Sequence, residues 1–247
     1  MKQIVKRLVN IIIERLVLIR GNINRNDNFS GLFRAWGFIY SNHIEGDYVE
    51  FGVYRGDSVI NSLKCHQEFD YWLKNQKISK EEWRREVANQ SPLSKFPKFH
   101  CLDTFEGMPD NDEGAIQFAK NTFNSSLDMV IKRVSKENKL SIEVNFYKGL
   151  FDKNIDKFNK QLENRKIAIA NIDCDLKEST TDALNMIQDK IDIGTVLLFD
   201  DYYSFSGDNN KGQKLAFREF CDKSQFIFEK FYTYQYMGQS FLIVGKD

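Results

Sequence analysis

The chain has 247 residues, 42% hydrophobic and 14% aromatic, enough for one large α/β domain or two small ones around a packed core. Lys and Arg number 35, as do Asp and Glu, so the formal net charge is zero and the basic excess of a nucleic-acid binder is missing. Cys65, Cys101, Cys174 and Cys221 stand far apart with no CxxC pair, which argues against zinc or a disulfide framework and for free thiols in a reducing, cytoplasmic setting.

The chain opens MKQIVKRLVNIIIERLVLIRGN. Glu14 and Arg15 interrupt any signal-like apolar run, while apolar residues at 4, 5, 8, 9, 12, 16 and 19 recur at helical spacing. This predicts a helical N-terminal extension over 1–45, packed on its own domain or on a second copy in a homo-oligomer. The sharper alternative is a basic amphipathic helix lying peripherally on the inner face of the membrane. From about residue 46 to 247, strand-like runs at 47–53, 98–103, 142–147, 166–173, 194–200, 226–235 and 240–245 alternate with helix-like segments at 56–72, 124–138, 152–163, 179–190 and 211–223. That alternation predicts an α/β, doubly wound, mainly parallel sheet, and the short link between the last two runs predicts an antiparallel C-terminal hairpin. The polar, highly charged stretch 66–97 is a helical surface insertion. Ser179 opens S-T-T-D, a capping-box pattern for the helix that follows the strand at 166–173.

The first strand–helix turn reads EFGVYRGDS over 50–58. Gly52 and Gly56 let the chain turn sharply and a ligand approach the backbone. The pattern is G-x-x-x-G, not the G-x-G-x-x-G of a dinucleotide site, and the missing third glycine disfavours a nicotinamide-dependent oxidoreductase. Glu50 before it suits a ligand bearing a cation, and S-adenosylmethionine has an ammonium and a sulfonium but no phosphate. CLDTFEGMP at 101–109 ends a strand on Asp103, placed to accept ribose hydroxyls, or more plainly to cap a turn. Its distance from the glycine turn exceeds the usual spacing of about 20 residues because the insertion lies between.

Two later apolar runs end on paired acids: NIDCDLK delivers Asp173 and Asp175, and GTVLLFDDYY delivers Asp200 and Asp201. Parallel strands bind ligands at these carboxyl ends. Carboxylates crowded at one edge repel and raise one another's pKa unless a cation neutralises them. Hard oxygen ligands suit Mg²⁺, and His43, His66 and His100 lie outside the acidic motifs, which disfavours a zinc or iron triad.

VEFGVYRGDS, LDTFEGMP, NIDCDLKEST and LLFDDYY, in this order, resemble the macrocin O-methyltransferase family across roughly 45–245. The resemblance implies a Rossmann-like class I methyltransferase sheet and an S-adenosylmethionine- and Mg²⁺-dependent enzyme that methylates a sugar hydroxyl on a glycan precursor, nucleotide sugar or glycosylated natural product. It implies that Asp173, Asp200 and Asp201 bind Mg²⁺ and that Asp175 beside them is the candidate base. It also implies donor contacts from Glu50, Phe51, Gly52, Val53, Tyr54, Arg55, Asp103, Thr104 and Phe105, with Ser126 and Gly149 near the adenine. Lys177, where the family carries an aromatic residue, and the insertion 66–97 depart from the pattern and bear on the substrate. Two other readings are a methyltransferase for a catechol-like or other small-molecule hydroxyl, and a non-catalytic α/β binding module. The substrate lid is expected from the N-terminal region, the insertion and the loop at 202–212.

Overall fold

The computed structural model describes residues 28–91, 97–113 and 116–247. The helix expected over 4–19, and the oligomer and membrane roles attached to it, lie outside the described residues. Among the described residues no helix is long and apolar enough to cross a membrane.

The seven strand-like runs become one sheet: β1 (Asp47–Phe51), β2 (Phe99–Asp103), β3 (Val144–Lys148), β4 (Ile167–Ile172), β5 (Val196–Phe199), β6 (Phe226–Tyr234) and β7 (Gly238–Lys246). Their spatial order is β3-β2-β1-β4-β5-β7-β6. The first five run parallel, and β7 lies antiparallel between β5 and β6. This is the mainly parallel doubly wound sheet with an antiparallel hairpin that the element order predicts.

Around it lie α1 (Asn28–Ser41), α2 (Asp57–Lys77), α3 (Glu82–Gln90), α4 (Leu127–Glu137), α5 (Ile155–Leu162), α6 (Lys177–Ile187) and α7 (Gly212–Cys221). Strand residues alternate between two cores, as a pleated ribbon requires. Tyr48, Phe99, Ile169 and Leu198 face α1, α2 and α4, where Trp36 stacks on Phe99 at 5.9 Å. Val49, Leu102, Ile172 and Phe199 face α5, α6 and α7, packing with Phe158, Leu184 and Phe217. Helices on both faces explain why β1, β4 and β5 are buried along their whole length and why β4 and β5 are almost wholly apolar.

Two boundaries differ from expectation. The first helix runs on to Lys77, burying His66, Asp70 and Leu73, so the head of the charged stretch 66–97 is a continuation of α2. Helix α6 begins at Lys177, two residues before Ser179, so Ser179 sits within the first turn and does not cap it. The four cysteines are free, as their spacing implies.

At the amino end of β1, Asp47 is fully buried. Its carboxylate accepts the Lys98 amide at 2.8 Å and Arg165 Nη2 at 2.5 Å, and meets His100 Nε2 at 3.3 Å. Burial alone would raise its pKa, but these hydrogen bonds from His100, Arg165 and Lys98 overcome it and hold the carboxyl below the ordinary range. Its contribution is therefore complete above the unfolded value near 3.9 and disappears as pH falls through the depressed folded value. We predict that Asp47→Ala, which takes a fully buried carboxylate away from the Lys98 amide, His100 and the half-buried Arg165, costs about 1–3 kcal/mol of folding stability at pH 7. Urea melts of variant and wild type at pH 7 and pH 3 check this. The gap should narrow at the lower pH.

Candidate functional site

The sheet reverses its strand order between β1 and β4, and ligands of open α/β sheets bind at such a point. A cleft of ≈ 430 Å³ opens there, lined among others by Gly52, Tyr54, Asp103, Thr104, Asp173, Asp175, Asp200 and Asp201. The glycine turn and the four acids, far apart in sequence, therefore share one cavity.

Close packing makes the turn what it is. Gly52 has φ 89°, and a β-carbon there would overlap the backbone carbonyl of Asp173. Its amide donates to Leu102 O at 2.9 Å, and the Asp173 amide donates to Phe51 O at 2.8 Å. Asp103 braces the turn from β2, accepting the amides of Val53 at 2.7 Å, Tyr54 at 2.8 Å and Phe105 at 2.7 Å. It thus does the work of a turn cap while still facing the cleft.

Of the expected donor residues, Gly52, Tyr54, Asp103 and Thr104 line the cavity. Phe51, Val53 and Phe105 are buried beneath it. Arg55 is exposed, its guanidinium 4.9 Å from the Tyr54 ring. Ser126 is also exposed, as the residue that precedes α4, and it is Ser125 that reaches the turn, donating to Tyr54 O at 2.5 Å. Gly149 lies off the cavity wall, its amide donating to Asp103 O at 3.0 Å, while Leu150 and Phe151 beside it form the wall. Glu50 lies outside the cavity lining. Strand alternation turns its side chain into the core beside Tyr48, where it is fully buried, accepts the Tyr48 hydroxyl, and takes a 2.5 Å hydrogen bond from Ser58. Its carboxyl is not presented to a ligand.

The acids converge as their strands do. Asp173 follows the last residue of β4, and Asp200 and Asp201 follow β5. One oxygen from each of these three lies within 4.8 Å of the others. Gln213 of α7 ties the two strand ends together, donating to Ile172 O at 2.9 Å and accepting the Asp201 amide at 3.0 Å. Asp201 accepts Ser204 Oγ at 2.6 Å, and Asp200 accepts Gln235 Nε2 at 2.8 Å. Burial pushes Asp173 well above the ordinary carboxylate range, with the charges of Asp200 and Asp175 adding to it. Burial, then the hydrogen bond and charge of Asp201, do the same to Asp175. Asp175 also holds φ 60°, a left-handed conformation that aspartate tolerates better than most residues but that still costs about 1–3 kcal/mol.

The described roof comes mostly from a segment not expected to form the lid, while the expected contribution of residues 1–27 lies outside the described residues. No described residue of the 66–97 stretch lines the cavity; its roof is Gly107, Met108, Pro109, Gln117, Phe118 and Phe123. The 202–212 loop supports this roof, Phe118 packing on Phe205 at 5.7 Å and Glu113 taking a backbone hydrogen bond from Gly212. Glu113 anchors the roof by accepting the Lys177 amide at the start of α6, the cap that Ser179 does not supply. The Lys177 side chain points away to Glu219, 3.1 Å distant, so its departure from the aromatic pattern does not alter the cleft wall. Glu113, Gln213 and Gln235 carry no local sequence signal, because each acts on a partner distant in sequence.

A family model described as Macrocin-O-methyltransferase matches residues 94–225. No curated protein matches the chain. Among solved structures, the O-methyltransferase NovP superposes with a TM-score of 0.61 at 21% identity, over 88% of this chain and 79% of that one. The apo structure of CalS11, described as a TDP-rhamnose 3'-O-methyltransferase of calicheamicin biosynthesis, gives 0.52 at 16%, over 88% and 78%. An O-methyltransferase from Bacillus cereus in complex with SAH gives 0.55 at 12%, over 94% and 90%. At these identities the likeness is one of fold.

Glu50 yields a prediction with a definite sign. Burial raises its pKa from 4.5 to about 7, so the folded protein binds this proton more tightly than the unfolded chain does. Stability should then fall as pH rises through that window and level off above it. Glu50→Gln mimics the protonated acid and escapes this loss. Thermal melts should show the variant gaining on wild type from pH 5 to pH 8, by on the order of 2–3 kcal/mol. Parallel curves would contradict the assignment.

Proposed function

The chain belongs to the macrocin O-methyltransferase family, and from that membership we propose that it methylates a hydroxyl of a sugar with Mg²⁺ held by Asp173, Asp200 and Asp201. It is an S-adenosylmethionine-dependent O-methyltransferase. The acceptor in this reading is a nucleotide sugar, glycan precursor or glycosylated natural product, in keeping with the sugar nucleotide named for CalS11.

The observation that carries the proposal is the set of three carboxylates within 4.8 Å of one another in a cleft that the adjoining glycine turn also lines. The residues fit a hard divalent cation: all donors are carboxylate oxygens, and Asp173 is costly to ionise without a counter-charge. Bound there, Mg²⁺ would supply stabilisation of a developing alkoxide and hold the acceptor oxygen. The donor lies against Gly52, Tyr54, Asp103 and Thr104, with Asp103 taking the ribose hydroxyls on lone pairs that the turn amides leave open. Asp175 takes the acceptor's proton, and its raised proton affinity brings it nearer to the operating pH of a general base. The roof residues Phe118 and Phe123 exclude water and align acceptor oxygen, methyl carbon and sulfur. Self-association through residues 4–19 belongs to the same proposal.

A methyl-transfer screen over nucleotide sugars, glycosides and catechols, with Mg²⁺ present or chelated, tests the acceptor class; turnover of catechols alone would refute the sugar reading. Two variants separate the roles of the acids. Asp200→Asn weakens a cation ligand, so part of its lost rate should return as Mg²⁺ is raised. Asp175→Asn leaves the three ligands in place and should stay about 10²–10⁴-fold slow at any Mg²⁺ concentration. Full activity of wild type in chelator would overturn the metal assignment.

A further inference from the structure

Tyr234, the last residue of β6, has a side chain that the established packing does not explain. Its ring is fully enclosed, and its hydroxyl has no hydrogen-bond partner among the described residues. The ring lies in a slot formed by two glycines. A β-carbon at Gly31 of α1 would stand 2.8 Å from its Cγ and Cδ2, and one at Gly238 of β7 would stand 2.8 Å from its Cε2 and Cζ. Two elements thus omit side chains to admit one phenol, yet its polar end is left unsatisfied. A buried hydroxyl without a partner costs about 1–3 kcal/mol, and phenylalanine would fill the same slot without that cost.

The surroundings indicate the use. The next residue, Gln235, places its amide on Asp200 at 2.8 Å, so this end of β6 abuts the acidic cluster. Burial raises the Tyr234 hydroxyl's pKa well above its usual value, and the charge of Asp200 followed by that of Asp173 raises it further. The neighbouring Tyr232 is a contrast: its hydroxyl is already satisfied, donating to Gly31 O at 2.7 Å.

We propose that Tyr234 is a positioning residue for the cation site, its hydroxyl donating to the Asp173–Asp200 carboxylate pair when the cation draws those groups together. The inference rests on the reading of Asp173, Asp200 and Asp201 as cation ligands. Ligating carboxylates are commonly held by such outer donors, whose loss weakens metal binding by about 10–100-fold. Gln235 holds Asp200 from one side, and Tyr234 supplies the second donor.

The test compares Tyr234→Phe, Tyr232→Phe and wild type in two measurements on the full chain, calorimetric titration with Mg²⁺ and thermal melting in chelator. Tyr234→Phe should bind Mg²⁺ at least about 10-fold more weakly while melting in chelator at or above the wild-type temperature. Tyr232→Phe should do the reverse, losing stability with its hydrogen bond and keeping wild-type affinity. Equal Mg²⁺ affinity in Tyr234→Phe and wild type would overturn the inference. So would a lower melting temperature for Tyr234→Phe in chelator, since the hydroxyl would then have a structural partner. A wild type that binds no Mg²⁺ would instead bring down the metal reading on which the inference rests.

Discussion

The contact between Gly52 and the backbone carbonyl of Asp173 is the constraint from which the site follows. The carboxyl ends of β1 and β4 approach so closely that position 52 has no room for a β-carbon. That approach brings the turn after β1 against the first of the acids. Asp103 then fixes β2 to the same turn through three backbone amides, and Gln213 fixes β5 to β4 through one donated and one accepted bond. The glycine turn and the acids are thus tied to strand ends by bonds between side chains and backbone. Sites built on such rigid elements hold geometry better than sites on loops.

The same convergence concentrates charge. Asp173 and Asp175 are desolvated beside Asp200 and Asp201, and their proton affinities rise accordingly. The left-handed backbone of Asp175 adds local strain. None of this benefits the protein without a ligand, and stability given up at a site is the usual mark of function. What offsets it lies in the fold: both cores are closely packed, and the Asp47–Arg165–His100 cluster secures the opposite end of β1.

How far the sequence discloses this depends on whether the signal is local. The strands were legible because central parallel strands are buried on both faces and appear as apolar runs. The acids were legible because they stand where those runs stop. A glycine motif does not report strand phase: Tyr48 and Glu50 share one face of β1, and that face is core. Ser179 matched a capping pattern, but Glu113, 64 residues before Lys177, takes the cap from outside the helix. The roof over 107–123 has no periodicity, and Tyr234 is one aromatic among many until the glycines around it are seen in space.

The central claim is that the acids share a divalent cation, and competition between that cation and protons gives the most direct test. Carboxyls with raised proton affinity must release protons when a cation displaces them. Calorimetric titration of Mg²⁺ into wild type at a series of pH values, repeated in buffers of different ionisation enthalpy, measures that release. The account predicts a binding heat that changes with the buffer, and a proton count that falls as pH is raised. Binding without proton release, or no binding in the presence of S-adenosylmethionine, would contradict it.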